Sequence, residues 1–521
     1  MMQLIAVQEW APLFLRKHRK AAAILTIVRR LPFHLFFLIP ATVVAGPNFT
    51  ERVIDAGFNV EQPALIANLT GRNDRQIVLA GRDEDHVQRL AIYSLGQAAS
   101  TEPLLSLTPG PNLIAYDVGR FGGQDALFFI EPGRILRYDF DSGSYIEVVK
   151  TRTIYGQNRS GDIVPIDFLR DLNLDDRDDL IVPDTAGYRV RLQREDGSLG
   201  EEVLLEESSS MTVLDGVVSF ESRPLFNGDM NFDGLIDLVV WRGDALRVYL
   251  QQSGDRIQGK PDVLELGLDL LSEAELLALQ GGPGSVDQSG LTENRIFSIE
   301  DRNGDQVPDI LIESAQSSGV FDKRNDFRLH LGRRDGDRVA YREQEDTLLS
   351  SEGLQYGLVT TDIDGDGKKD LLVRKVRITF GRVIRALLSG NVPLQLHFFR
   401  MTGDDDYAEE ANYITKTNVR FSVTTGHMDI PAIEIADFDG DGLQDLLMQT
   451  RPTRLSFFAG RPTAELFAVD ATNLDVELPR NGDLVDIADI NGDDRSDLVI
   501  RYNATDGVDA AHTVRLLITK P

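Results

Sequence analysis

The chain has 521 residues, of which 42% are hydrophobic and 26% charged, and its formal net charge is −29. This length requires either several domains or one large closed architecture, and the composition is that of a folded chain. The acidity excludes a general nucleic-acid binder, which depends on a basic surface. The sequence contains no cysteine, which excludes disulfides, Cys-ligated zinc, iron–sulfur clusters and thiol catalysis.

Residues 1–46 are predicted to be a signal or targeting segment. Six Lys and Arg residues precede a short apolar run, and the small residues Val43 and Ala45 are typical of a cleavage site. The run, 35–45, is too short to cross about 30 Å of hydrocarbon, and no other segment is apolar enough to do so. We therefore expect export to the periplasm, the cell surface or the medium; an uncleaved anchor is the alternative. An exported chain without cysteine favours a bacterial source.

An acidic pattern recurs along the chain: Asp-x-Asp/Asn-x-Asp-x-x-x-Asp, followed by apolar residues. Self-similarity at such spacing is typical of repeat architectures. Two degenerate copies at 68–76 and 117–125 bring the count to eight modules. The six clear copies span 171–179, 229–237, 301–309, 362–370, 437–445 and 489–497.

Each module also carries several strand-like runs with the period of two that indicates β-structure. Four strands per module are typical of a propeller blade. We predict an all-β fold over 47–521: an eight-bladed, or alternatively seven-bladed, β-propeller of four-stranded antiparallel blades. The last module supplies only three strands, so we expect a strand at 51–58 to complete the final blade and close the ring. Two insertions, near 266–290 and 375–391, exceed the repeat.

The acidic loops have the chemistry of a calcium site. Oxygen-bearing side chains at positions 1, 3, 5 and 9, with the backbone carbonyl of position 7, suit a hard cation, and Ca²⁺ fits better than Mg²⁺. An EF-hand is excluded because position 12 is apolar in all six loops, and Asp-rich turns without metal are the alternative. We predict about six structural Ca²⁺ sites. Their ligands would be Asp171, Asn173, Asp175, Arg177, Asp179; Asp229, Asn231, Asp233, Leu235, Asp237; Asp301, Asn303, Asp305, Val307, Asp309; Asp362, Asp364, Asp366, Lys368, Asp370; Asp437, Asp439, Asp441, Leu443, Asp445; Asp489, Asn491, Asp493, Arg495 and Asp497.

These modules resemble the FG-GAP/VCBS repeat family, which includes the calcium-binding blades of integrin α-subunit propellers. The resemblance implies that each loop lies on one face of a blade, between two strands, and holds a structural calcium. The Phe-Gly…Gly-Ala-Pro part of the integrin pattern is not recognisable, so the match is to the bacterial secreted type and integrin function is not implied. The motif specifies fold and metal more strongly than function.

Known catalytic motifs are not found. The histidines between 47 and 521 have no metal-binding spacing, and neither a Gly-x-Ser-x-Gly elbow nor a Walker loop occurs. We therefore expect a binding, recognition or scaffold module for a protein or glycan; a propeller-based polysaccharide lyase or hydrolase is the alternative. The basic, apolar segment 375–391 is a candidate for docking an acidic partner, or else it packs over its own blade.

Overall fold

A computed structural model describes residues 47–520 except 72–73, 97–101, 156–162, 215–216, 254, 269, 271–290, 320–321, 353, 377–388, 404 and 423–426. The targeting segment predicted at 1–46 lies outside the described residues. So does most of the two predicted insertions. Their assignments remain predictions.

Eight antiparallel sheets, each built on four strands, follow one another along the chain. The protein is therefore a β-propeller, and the count is eight rather than the alternative seven. In order from the first strand, the blades are: blade 1, Leu65–Ala67, Gln76–Arg82, Gln88–Ser94 and Leu105–Leu107; blade 2, Ala115–Phe121, Gln124–Glu131, Arg134–Asp139 and Ser144–Lys150; blade 3, Leu169–Arg170, Asp179–Asp184, Gly187–Arg191 and Val203–Leu205; blade 4, Leu225–Gly228, Asp237–Arg242, Ala245–Tyr249 and Asp262–Glu265; blade 5, Leu291–Glu300, Asp309–Gly319, Asp322–His330 and Thr347–Glu352; blade 6, Leu354–Thr361, Asp370–Val376, Asn391–Phe399 and Tyr413–Phe421; blade 7, Ile433–Ala436, Asp445–Arg451, Arg454–Phe458 and Thr472–Asp475; blade 8, Val485–Ala488, Asp497–Arg501, Thr513–Thr519 and Phe49–Asp55.

The remaining elements are short. Asn59–Val60, Val164–Pro165 and Met428–Asp429 extend the sheets of blades 1, 2 and 6. Three hairpins pair Ser210–Leu214 with Val217–Glu221, Gln251–Gln252 with Arg256–Ile257, and Arg333–Asp335 with Arg338–Ala340. Among the described residues, a 3-10 helix spans Gly482–Leu484 and an α-helix spans Val508–Ala511. Within the described residues, no helix combines the length and apolarity needed to cross a bilayer.

The apolar core is divided among the gaps between neighbouring blades. Eight clusters of buried side chains join consecutive blades, including blade 8 to blade 1. The second strand of each blade contributes to two of them: Ile77 and Leu79 pack toward blade 8, whereas Val78 and Ala80 pack toward blade 2. Side chains alternate between the two faces of a strand, and both faces are covered here. This arrangement explains why the second strands are continuous apolar runs.

The N-terminal strand closes the ring. Phe49–Asp55 pairs antiparallel with the C-terminal strand, from Phe49 opposite Thr519 to Asp55 opposite Thr513. Ile54 is 2% exposed and belongs to the cluster between blades 8 and 1. The predicted closure is confirmed, although the strand begins and ends slightly earlier than the predicted 51–58.

Removing this strand should open blade 8. A chain that starts at residue 59 would expose the backbone of the C-terminal strand and part of the last interblade cluster, so we expect a lower melting temperature and self-association. A chain that starts at residue 47 is the control. Size-exclusion chromatography and thermal melting compare the two, and a monomeric 59–521 chain of equal stability would contradict this role.

Candidate metal centres

The six acidic loops lie on one face of the propeller, because each joins the first strand of its blade to the second. The two degenerate copies differ from them. In blade 1, Gln76 stands at the ninth position and its side-chain oxygen accepts the N–H groups of Leu69 and Thr70, at 2.7 and 3.2 Å. In blade 2 the first two strands continue to Phe121 and from Gln124, so a tight hairpin replaces the loop. Only blades 3 to 8 therefore carry the full acidic loop.

All six loops share one backbone conformation. The residues at positions 4 and 6 have positive φ, the left-handed region that favours glycine. The pairs of residues are Leu174 and Asp176, Phe232 and Gly234, Gly304 and Gln306, Gly365 and Gly367, Gly440 and Gly442, and Gly492 and Asp494.

The first aspartate of each loop holds this conformation in place. Its carboxylate accepts backbone N–H groups from the turn that follows. In blade 6, Asp362 accepts from Gly365 at 2.8 Å, Asp366 at 3.1 Å and Gly367 at 2.8 Å. The corresponding carboxylates Asp171, Asp229, Asp301, Asp437 and Asp489 accept in the same way.

The ninth aspartate joins the loop to the third strand of the blade. In blade 6, Asp370 accepts the N–H of Ile363, at position 2, at 3.0 Å and the N–H of Met401 at 2.9 Å. All six ninth aspartates have at most 1% of their surface exposed. The other five receive the same two kinds of bond: Asp179, Asp237, Asp309, Asp445 and Asp497. Each of these residues therefore connects the loop to the third strand by hydrogen bonds, whether or not it also binds metal.

Burial shifts the acidity of the ninth aspartates. Loss of hydration raises the pKa of Asp179 to about 8 and the pKa of Asp237 to about 6. It raises the pKa of Asp309, Asp370 and Asp445 to about 7. In each case the backbone N–H donors oppose the shift, while neighbouring loop carboxylates add to it.

Position 3 divides the loops into two groups. In four of them it is an asparagine whose amide donates to the carboxylate at position 5, as Asn231 does to Asp233 at 2.9 Å. Asn173, Asn303 and Asn491 make the same contact. In blades 6 and 7 position 3 is an aspartate, so that two carboxylates face each other instead.

The two aspartates at position 3 carry unsatisfied buried oxygens. Asp364 Oδ1 and Asp439 Oδ2 have no hydrogen-bond partner, and Asp364 Oδ2 forms an ion pair with Arg400 but no hydrogen bond. Burial raises the pKa of both groups, and the carboxylates of Asp366 and Asp441 raise it further. A buried polar atom without a partner costs about 1–3 kcal/mol, and a bound cation or water would recover that cost.

These same two loops bring three carboxylates together. One oxygen from each of Asp362, Asp364 and Asp370 lies within 4.8 Å of the others. Asp437, Asp439 and Asp441 form the second such group. Among the described residues the other four loops do not form a group of this kind. There the ligand sets from positions 1, 3, 5, 7 and 9 stay predictions, although the buried oxygen of Asn173 also lacks a partner.

The loops also contact one another around the ring. In blades 6, 7 and 8 the N–H at position 8 donates to a carbonyl of the loop before it: Lys369 to Arg302 at 2.7 Å, Gln444 to Ile363 at 3.1 Å and Ser496 to Asp437 at 2.8 Å. At the closure, Arg75 of blade 1 donates to the carbonyl of Asp489. The acidic face is therefore a hydrogen-bonded series of loops, which no local pattern in the sequence indicated.

Comparisons with known proteins give the fold alone. No family model and no curated protein matches the chain. An Agrocybe aegerita lectin that recognises non-reducing terminal N-acetylglucosamine is 12% identical, with 81% of this chain and 94% of that chain covered and a TM-score of 0.40. The Nup133 β-propeller domain of Vanderwaltozyma polyspora is 8% identical, with 92% and 100% covered and a TM-score of 0.35. Apo AztD from Citrobacter koseri is 12% identical, with 82% and 96% covered and a TM-score of 0.30. At these identities and TM-scores the matches give no information about function.

An asparagine at position 3 should stabilise blade 7 in the absence of metal. Asp439→Asn supplies an amide donor to Asp441, as Asn231 does in blade 4, and removes a like-charge contact. We expect the free energy of unfolding in calcium-free buffer to increase by about 1 kcal/mol. Asn231→Asp is the matched reverse change and should decrease it. Chemical denaturation in EDTA measures the free energy of unfolding of both variants. A change of the same sign in the two would contradict this role of position 3.

The raised pKa of Asp179 predicts a pH effect of definite sign. Because it is raised from 3.8 to about 8, the folded chain takes up a proton that the unfolded chain releases. The resulting stabilisation is complete below about pH 4 and is lost as pH rises toward about 8. Asp179→Asn is neutral throughout, so its melting temperature relative to the parent chain should increase from about pH 5 to about pH 8 in calcium-free buffer. A difference that stays constant over this range would show that the two N–H donors keep Asp179 ionised, and would contradict the raised pKa.

Proposed function

We propose that the protein is an exported, calcium-stabilised β-propeller of the FG-GAP/VCBS type that serves as a binding or scaffold module for a protein or glycan. The observation that carries the proposal is the pair of three-carboxylate clusters in blades 6 and 7. Each contains a buried oxygen without a hydrogen-bond partner. A cation would satisfy those oxygens and remove the repulsion between the carboxylates.

Calcium is the cation that these loops suit best. All candidate ligands are oxygens, and the loop supplies them as an all-protein set, whereas Mg²⁺ demands octahedral geometry and usually keeps several waters. In blade 6 the oxygens would come from Asp362, Asp364 and Asp370, with Asp366 and the carbonyl of Lys368 completing the set. The equivalent residues of blade 7 are Asp437, Asp439, Asp441, Asp445 and Leu443. The remaining four loops would bind through the same positions, with an amide oxygen at position 3.

A rigid closed ring suits recognition. Binding residues concentrate on loops that a stable scaffold holds in place. Calcium would fix six neighbouring loops on one face, and the loops already contact each other there. The acidic overall charge of −29 favours partners other than nucleic acid, and the targeting segment at 1–46 supports a calcium-rich extracellular setting.

Calcium should raise the thermal stability. Ligand binding to the folded state alone adds RT ln(1 + [Ca]/Kd) per site, and we expect Kd values of roughly 10⁻⁵ to 10⁻³ M for loops without a bidentate glutamate. The melting temperature should therefore be higher in millimolar Ca²⁺ than in EDTA, and Mg²⁺ should restore less of it. Identical melting curves in Ca²⁺ and EDTA would remove the metal from the proposal.

Single-loop variants locate the effect. Asp441→Ala removes a ligand of the blade 7 cluster, and we expect it to lower stability in Ca²⁺ by more than about 1 kcal/mol. Asp74→Ala, in the degenerate loop of blade 1, is the control; its carboxylate accepts the Ser94 hydroxyl at 2.7 Å, and the change should stay within about 0.5 kcal/mol. Equal losses for both variants in Ca²⁺ would mean that the loops act through turn geometry rather than through ligation.

A further inference from the structure

Arg400 covers the acidic loop of blade 6. It follows the third strand of the blade, and its Nε pairs with Asp364 Oδ2, although the angles are not those of a hydrogen bond. Its Nη2 donates to Asp366 Oδ2 at 3.1 Å. The side chain of Asp364 is fully buried, whereas that of Arg400 is 30% exposed. The guanidinium thus lies between the solvent and a carboxylate of the candidate metal centre.

The other five blades that carry an acidic loop have an uncharged residue at the position equivalent to Arg400. The residue after Arg400 is Met401, whose N–H donates to the ninth aspartate, and the same bond identifies the equivalent positions elsewhere. The residues that precede those donors are Leu192, Leu250, Leu331, Ala459 and Ile518. Five blades therefore have an apolar residue where blade 6 has an arginine. The comparison with blade 7 is the closest, because its loop has the same four aspartates and the neutral Ala459.

Other arginines approach the loops in a different way. Arg177 pairs with Asp175 of its own loop, and Arg75 pairs with Asp489 at 3.3 Å. Each contacts one carboxylate. Arg495 lies beside the blade 7 loop, where its charge opposes the rise in the pKa of Asp439, but its guanidinium donates to the carbonyl of Lys520, at 3.1 Å. Within the described part of the chain, Arg400 alone pairs with two loop carboxylates, one of them buried.

We infer that Arg400 is a built-in cation that competes with calcium for the loop 362–370, an inference that rests on the proposed function. The guanidinium supplies positive charge and N–H donors to Asp364 and Asp366, and calcium would need the same oxygens. A divalent ion beside the guanidinium would also be repelled by it. Calcium therefore binds this loop only when the Arg400 side chain moves toward solvent. Its backbone can stay in place, held by the bond from its N–H to Asn412 Oδ1 at 2.8 Å.

The two four-aspartate loops then differ in their dependence on calcium. Blade 6 is neutralised in part by its own arginine, so it keeps its loop folded when calcium is scarce and binds the metal weakly. Blade 7 has Ala459 at the position of Arg400, and its nearby Arg495 donates to a backbone carbonyl, so this loop depends more on calcium and binds it more tightly. The ring would thus contain a weak and a strong site made from the same ligands.

The test exchanges the residues between blades. Arg400→Leu gives blade 6 the residue found in blades 3, 4 and 5, and Ala459→Arg introduces the arginine into blade 7. Calcium titration by isothermal calorimetry on the full chain should show that Arg400→Leu tightens one site by about tenfold or more. Adding Asp366→Ala should abolish that gain and so assign it to blade 6. Ala459→Arg should weaken one site by a similar factor.

A melting experiment separates competition from a purely structural role. Without calcium, Arg400→Leu leaves Asp364 buried without a compensating charge, so its melting temperature in EDTA should fall. In saturating Ca²⁺ the melting temperature should equal or exceed that of the parent chain. Arg400→Lys keeps the charge but loses the forked geometry. Its melting temperature in EDTA should lie between those of Arg400→Leu and the parent chain.

Arg454→Ala is the matched control for lost charge. Arg454 pairs with Asp475 at 2.7 Å and has a half-buried side chain. It lies beside the end of the second strand of blade 7, whereas the loop precedes the start of that strand. Calcium binding that is the same in Arg400→Leu and Arg454→Ala, or a melting temperature of Arg400→Leu that stays low in Ca²⁺, would overturn the inference. Calcium binding in no variant, including Arg400→Leu, would overturn the proposed function itself.

Discussion

The structure depends on one buried carboxylate in each of six blades. The ninth aspartate of the acidic loop is removed from water, and two backbone N–H donors compensate for the lost hydration: one from the start of the loop, the other from the end of the third strand. In blade 8 the hydroxyl of Thr519 also donates to Asp497, at 2.7 Å. An apolar side chain could not make these bonds, and an amide has one acceptor oxygen rather than two. Blade 1 shows the lesser version, in which the single acceptor oxygen of Gln76 binds two N–H groups of the loop only. The hydrogen bonds to the ninth aspartate set where each loop begins, where the second strand starts and on which face the loop lies.

This arrangement concentrates negative charge, and the chain offsets it in several ways. Asparagine at position 3 donates a hydrogen bond to position 5 in four loops. Arginines neutralise part of the charge elsewhere, most completely Arg400 in blade 6. Asp364 Oδ1 and Asp439 Oδ2 still lack hydrogen-bond partners, and the proposed cation would satisfy them. Because neighbouring loops are hydrogen-bonded to each other, neutralising the carboxylates of one loop should also stabilise the next loop.

Much of this architecture could be predicted from the sequence because it is encoded locally. The loops, their glycines at position 6 and the apolar strands after them lie within a dozen residues, and their repetition gave the blade count. The missing strand of the last module predicted the closure by Phe49–Asp55. Other features depend on contacts between distant residues and leave no local pattern. Arg400 reaches Asp364 across a strand pair, and the loop-to-loop bonds join different blades. The hairpin at Phe121 and Gln124 was also missed, because the spacing of Asp117 and Asp125 imitates a loop.

The central claim is that calcium occupies the acidic loops, and crystallography tests it most directly. Crystals grown in millimolar calcium, with anomalous data collected at long wavelength, would locate bound calcium ions directly. The account predicts an anomalous peak in the loop 437–445, about 2.3–2.6 Å from oxygens of Asp437, Asp439 and Asp441, and a weaker one in 362–370 with Arg400 displaced. Loops that contain only water at saturating calcium, with Asp439 Oδ2 still without a partner, would contradict it.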